Sequence, residues 1–172
     1  MSRVTSLRCT VWAIDSCPRS RMGTPEMNDA HGPRKAPRCG SLSLGTVLVV
    51  DDAAESTAAL EEACSAVPGV SVLGVTSALD AVRILRDGDQ SICAVVTDIR
   101  MPRMDGFELI RLMRADRKHA ATPIIVVTAD TDPETPELAS SLGADAFFSK
   151  PFSPAAIRRR LGDLLHESRH SR

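Results

Sequence analysis

From Thr46 onward the chain alternates short apolar runs with longer stretches in which apolar residues return every three or four positions. That alternation predicts a repeated strand–helix unit, and such repeats build parallel sheets covered by helices. Strands are expected at about 46–51, 70–75, 92–97, 123–128 and 145–149. Helices are expected at about 54–66, 77–87, 105–117, 133–142 and 154–166, with ends uncertain by about two to four residues. The punctuation agrees: Pro68-Gly69 precedes the second strand, Asp87-Gly88-Asp89 follows the second helix, and Gly143 stands where the fourth helix should stop. Ser153-Pro154 reads as an N-cap followed by a first-turn proline. The last helix carries Ile157, Leu161, Leu164 and Leu165 on one stripe, opposite Arg158, Arg159 and Arg160. The expected fold class is α/β, with five βα units forming a doubly wound, five-stranded parallel sheet.

Residues 1–45 show neither periodicity and are dotted with Arg, Ser, Gly and Pro, so they are expected to be a disordered extension. The expected domains are thus a 1–45 extension, a folded domain over 46–166 and a short 167–172 tail. Met22 and Met27 would serve equally well as start residues, so whether all of 1–45 belongs to the native protein is open. No internal repeat is visible. Charge divides along the same lines. Residues 1–45 carry seven Lys/Arg against three acids, 153–172 carry five Arg against two acids, and 46–152 stand at −8 within a total of −1. An acidic body disfavours direct nucleic-acid binding and suits divalent cations.

Hydrophobic residues make up 43% of the chain, enough for a real core. Five cysteines without a CxxC pair do not describe a secreted disulfide framework, and Cys64 and Cys93 fall in apolar segments where reduced thiols pack as small hydrophobes. Cys9, Cys17, His31 and Cys39 match no familiar zinc spacing. The segment from Cys9 to Ile14 is too short for a signal-peptide core, and nowhere do about 18 apolar residues run together. A cytoplasmic protein without membrane contact is expected.

The candidate chemistry lies where apolar runs stop at polar residues. Four do so: Val47-Leu48-Val49-Val50-Asp51-Asp52, Val95-Val96-Thr97-Asp98, Ile124-Ile125-Val126-Val127-Thr128 and Phe147-Phe148-Ser149-Lys150-Pro151. Parallel sheets place their sites just beyond strand carboxyl ends, so these residues should converge. Asp51 and Asp52 would sit beside Asp98 if their strands are neighbours. Three close carboxylates must protonate in part or share a hard cation, and Mg²⁺ suits an open carboxylate site. Helix capping alone would account for Asp51-Asp52. Asp98 resists that explanation, because it leads into the loop Ile99-Arg100-Met101-Pro102-Arg103-Met104-Asp105-Gly106 and so has room in front of it. A carboxylate there can attack phosphorus. Thr128 could donate its hydroxyl to a phosphoryl oxygen and Lys150 could supply a compact positive charge, although either residue could also be an ordinary strand-end side chain.

Over roughly Thr46 to His166 the chain resembles the receiver domain of bacterial two-component response regulators, with its flavodoxin-like fold. The spacing fits: 30 positions separate Asp98 from Thr128 and 22 separate Thr128 from Lys150, both typical of receivers. The resemblance implies that Asp98 is the phosphoacceptor and that Asp51 and Asp52 serve a Mg²⁺ site completed by Asp98 and the backbone carbonyl of Arg100. It implies that Thr128 is the switch hydroxyl, Lys150 the conserved-type lysine before a cis Pro151, and Phe147 the aromatic switch residue. A core role for Phe147 stands beside that one. It further implies a sensor histidine kinase or histidine phosphotransfer protein as donor, a downstream protein target, and an output surface on the fourth helix, fifth strand and fifth helix. Arg100 and Asp130, each two residues beyond a site residue, could pair across the pocket mouth and hinder attacking water.

Only Glu167 to Arg172 follow the fifth helix, so a stand-alone, single-domain regulator rather than a classical enzyme is expected. Two alternatives differ in class. A phosphorylation-independent adaptor of the same fold should lack the acceptor or the acidic pair, and neither is missing. A phosphohydrolase would need an acid two residues beyond its nucleophile, where this chain has Arg100.

Overall fold

The computed structural model describes residues 44–88 and 90–170. Residues 1–43 of the expected extension, with Cys9, Cys17, His31 and Cys39, lie outside them, as do Asp89 and the last two residues, while Gly45 belongs to the first strand. The elements run β1 (Gly45–Val50), α1 (Ala54–Ser65), β2 (Val70–Val75), α2 (Ala78–Asp87), β3 (Ile92–Thr97), α3 (Gly106–Ala115), β4 (Ile124–Thr128), α4 (Thr135–Ser141), β5 (Ala146–Ser149) and α5 (Pro154–His170). All five strands are parallel, in the order β2-β1-β3-β4-β5. The chain leaves β1 toward one edge of the sheet and returns to build β3 on the other side. The strand order therefore reverses between β1 and β3, the position at which open α/β sheets form a crevice beyond their carboxyl ends.

The strand residues alternate between two cores. On β1, Val47 and Val49 pack with Leu60 and Cys64 of α1 and Ile157 and Leu161 of α5. Leu48 and Val50 pack on the opposite side with Ala81 and Leu85 of α2, Leu109 and Ile110 of α3 and Ala139 of α4. All four β1 residues are fully buried, and each such side chain is worth about 1.5–3 kcal/mol of transfer free energy. Burial of Cys64 pushes its thiol pKa up to about 12, so it behaves as a hydrophobe.

One irregularity was not legible from periodicity. The β1–β3 register shifts between Thr46 and Val47, whose partners are Ile92 and Ala94. Cys93 is the extra residue, so Cys93 and Ala94 share the α1/α5 side while Ile92 and Val95 share the other. Gly45 accommodates this bulge. It sits at φ +120°, where a Cβ would stand 2.6 Å from the Ser91 carbonyl oxygen and 3.0 Å from the Cys93 Cβ.

Two element ends correct the sequence expectation. Helix α4 starts at Thr135 rather than 133, because consecutive Asx-type turns hold the preceding chain. Asp132 N donates to Asp130 Oδ1 at 3.1 Å and Glu134 N donates to Asp132 Oδ1 at 3.0 Å. Helix α5 runs on to His170, so the expected tail from residue 167 is largely helical, with the Ser168 hydroxyl bonded to Leu164 O at 2.8 Å. No helix among the described residues is long and apolar enough to cross a membrane.

Candidate functional site

The crevice between β1 and β3 gathers Asp51, Asp52, Asp98 and Lys150. Asp98 N donates to Val50 O at 2.8 Å, which draws the end of β3 level with that of β1. Ligand oxygens of Asp51, Asp52 and Asp98 all lie within 4.8 Å of one another. Asp51 is fully buried and held from three sides. Ala53 N donates to its Oδ1 at 3.0 Å, while the Ser56 hydroxyl and Lys150 Nζ reach its Oδ2 at 2.6 and 2.5 Å. Asp52 is exposed, and the cluster meets solvent on its side.

Asp98 is more enclosed than its following loop suggested, with 7% of its side chain exposed. Its Oδ1 accepts from Ile99 N at 2.5 Å and Arg100 N at 3.1 Å, and its Oδ2 accepts from Lys150 Nζ at 2.6 Å. The loop can fold back in this way because α3 begins with Gly106. A Cβ there would overlap the Asp98 carbonyl oxygen and stand 2.9 Å from Ile99 Cα, whereas Gly106 N donates to Ile99 O at 3.0 Å. Asp105 caps the helix by accepting from Glu108 N at 2.8 Å.

Lys150 arrives from the far side. Its backbone N donates to Thr128 O at 2.7 Å, and its peptide to Pro151 is cis. Burial alone would lower the Lys150 pKa, but the hydrogen bonds that its ammonium donates to Asp51 and Asp98, with their charges, hold it above the ordinary lysine value. Thr128 is fully buried at the end of β4, and its Oγ1 accepts from Asp130 N at 3.2 Å. Phe147 is half-buried against the α2/α3/α4 core, opposite Val126 in the β4–β5 register.

Arg100 and Asp130 do meet across the mouth. The guanidinium Nε and Nη2 lie 3.0 and 2.9 Å from Asp130 Oδ2. The Asp132 amide, which donates to Asp130, holds this carboxyl below its usual range against the opposing effect of burial, helped by the charge of Arg100 and by Thr135.

The acids fit a divalent cation. Three carboxylates share one described cationic neighbour, Lys150, so the cluster retains negative charge that a hard ion would neutralise. Ser56, which sits in the first turn of α1 four residues after Asp52, was not singled out from the sequence. Neither was Arg114. Its guanidinium donates to Gly143 O at 2.6 Å and Thr122 O at 2.8 Å and pairs with Asp145 at 3.0 Å, tying α3 to the turns flanking β4 and preceding β5.

Residues 47–162 match the response regulator receiver domain, and the chain belongs to that family of signalling domains. It is 33% identical over 123 residues to the transcriptional regulatory protein GltR of Pseudomonas aeruginosa, a match covering 72% of this chain and 50% of GltR. This chain thus aligns with about half the length of that relative. It is 29% identical over 119 residues to a chemotaxis protein CheY homolog of Campylobacter jejuni, covering 69% of this chain and 91% of that protein. Among solved structures, the chemotaxis response regulator CheY4 of Vibrio cholerae superposes with a TM-score of 0.62 at 25% identity, over 69% of this chain and 97% of that one.

Proposed function

We propose that this chain is a phosphoacceptor in two-component signalling, taking a phosphoryl group on Asp98 from the histidine of a sensor kinase or phosphotransfer protein. One carboxylate oxygen of Asp98 forms the new P–O bond as the donor's N–P bond breaks, and the released imidazole takes up a proton. The observation that carries this proposal is Lys150 Nζ, which bridges Asp98 and Asp51 at 2.6 and 2.5 Å beside a third carboxylate. That arrangement holds an anionic nucleophile next to a fixed positive charge.

Asp51, Asp52, Asp98 and the Arg100 main-chain carbonyl would hold Mg²⁺, which when bound neutralises charge on the phosphoryl oxygens. Lys150 balances the charge delivered to Asp98. Thr128 only accepts a described hydrogen bond, from Asp130 N, so its own proton can be directed to a phosphoryl oxygen. Movement of Thr128 would free space for Phe147 and bias the surface of α4, β5 and α5, through which a downstream protein is contacted. Two buried or half-buried free thiols, Cys64 and Cys93, suit a reducing cytoplasm.

Incubation with Mg²⁺ and acetyl phosphate tests the assignment by intact mass. One added phosphoryl group is expected for the wild type and none for Asp98→Asn. Equal labelling of that variant rejects Asp98 as the acceptor.

A further inference from the structure

A groove of about 400 Å³ opens between the loop after β3 and the first turns of α4, outside the acidic cluster. Its apolar lining is Ile99, Met101, Phe107 and Leu138. A single exposed leucine is ordinary, but Leu138, 41% exposed, lines a concave surface beside a half-buried aromatic ring. The rim is acidic. Arg100 and Asp130 neutralise each other, which leaves Asp105, Asp132 and Glu134, and no cation among the described residues pairs with any of these three. They are not a metal site either, since the only described group of three acids close enough to share an ion is Asp51, Asp52 and Asp98.

We propose that this groove docks a basic segment of another protein that inserts an aliphatic side chain against Leu138 and Phe107. Acids spread around an apolar floor complement spaced Lys or Arg residues flanking a hydrophobic anchor. The groove is also wired to the crevice. Ile99 and Arg100 on one wall donate their amides to Asp98 Oδ1. On the other wall, Asp130 N donates to Thr128 Oγ1, and the Thr135 hydroxyl donates to Asp130 Oδ2 at 3.2 Å. Both walls thus hang on residues that phosphorylation would rearrange, so occupancy and phosphorylation are coupled; this second statement rests on Asp98 being the phosphoacceptor.

The test is fluorescence anisotropy of the full chain with a labelled amphipathic Lys/Leu peptide and with its Glu/Leu counterpart. The Lys peptide is expected to bind, more weakly as salt rises, and the Glu peptide not to bind. Leu138→Ser and the pair Asp132→Asn with Glu134→Gln should each weaken binding about tenfold. Glu62→Gln, on α1 across the sheet, should leave binding unchanged, and all these variants should take up label from acetyl phosphate as the wild type does. No binding of the Lys peptide, or equal loss in Glu62→Gln, overturns the docking site. Affinity should differ by about threefold or more between protein shown by mass to be phosphorylated and unphosphorylated protein. Equal affinities overturn the coupling. Absence of label on the wild type instead overturns the role of Asp98, and the peptide titrations still decide the groove.

Discussion

Lys150 Nζ lies 2.6 Å from Asp98 Oδ2 and 2.5 Å from Asp51 Oδ2, so one cation from the end of β5 serves carboxylates from two adjacent strands, β1 and β3. With 19% of its side chain exposed, Lys150 is screened only in part, and its proton is held more tightly than in an unfolded chain. Both states keep the proton below the ordinary lysine value of 10.5, so the stabilisation is fully present there. As pH rises from that value through the higher folded pKa, the unfolded state releases its proton first and stability is lost. Urea titrations in EDTA should show a steeper alkaline decline for the wild type than for Lys150→Met. Cys64 titrates in a similar range but is common to both proteins. Parallel declines would separate Lys150 from the cluster's stability.

Mg²⁺ should stabilise the folded protein by relieving repulsion among Asp51, Asp52 and Asp98. At a hundredfold excess over Kd, binding to the native state alone contributes about 2.7 kcal/mol. The melting temperature should rise with Mg²⁺, fall back on chelation with EDTA and respond much less in Asp51→Asn. A wild type indifferent to Mg²⁺, together with phosphorylation undiminished in EDTA, would remove the metal from the account.

The Arg100–Asp130 pair bears on the lifetime of the phosphorylated state. The guanidinium is 72% exposed, so solvent screens the pair and it should add little to stability. Asp130 is held below its ordinary value of 3.8, so the pair persists at neutral pH and weakens as pH falls through that lowered value. Arg100→Ala is expected to speed loss of the phosphoryl group at neutral pH by opening the pocket mouth to water, with little change in unfolding. An unchanged half-life would show that the pair does not shield the site.

Arg114 has a structural role away from the chemistry. Removing it leaves Gly143 O and Thr122 O without their guanidinium donor, and leaves Asp145 Oδ2 with the Ile124 amide but without its cation. Hydrogen bonds to charged groups are worth about 1.5–3 kcal/mol each, partly offset here by solvent. Arg114→Met should therefore lower unfolding free energy by about 2 kcal/mol, measured by denaturant titration, while label uptake by the folded protein is unchanged. A loss within about 0.5 kcal/mol would mean that water replaces these contacts.

The expected α/β class and all ten elements appear in the structure, because strands buried on both faces read as continuous apolar runs and the helices carry clear apolar stripes. The convergence of Asp51, Asp52, Asp98 and Lys150 was legible because each interrupts such a run at its carboxyl end. What escaped reading depends on contacts distant in sequence. The Cys93 bulge changes which core a side chain enters without disturbing local composition. Arg114 resembles any helix-surface arginine until Gly143, 29 residues away, comes beside it. The enclosure of Asp98 follows from Gly106 letting α3 approach the loop, and a glycine alone does not announce what will pack against it. The late start of α4 reflects side-chain-capped turns at Asp130 and Asp132 overriding helical periodicity.

The most direct measurement of the central claim is to locate the phosphoryl group chemically. Protein treated with acetyl phosphate and Mg²⁺, then reduced with borohydride, converts a phosphorylated aspartate to homoserine that peptide mass spectrometry can place. Homoserine at position 98 alone, absent without Mg²⁺, is the predicted result. Modification at Asp51 or Asp52 instead, or none in protein shown to be folded, would contradict the assignment of this crevice.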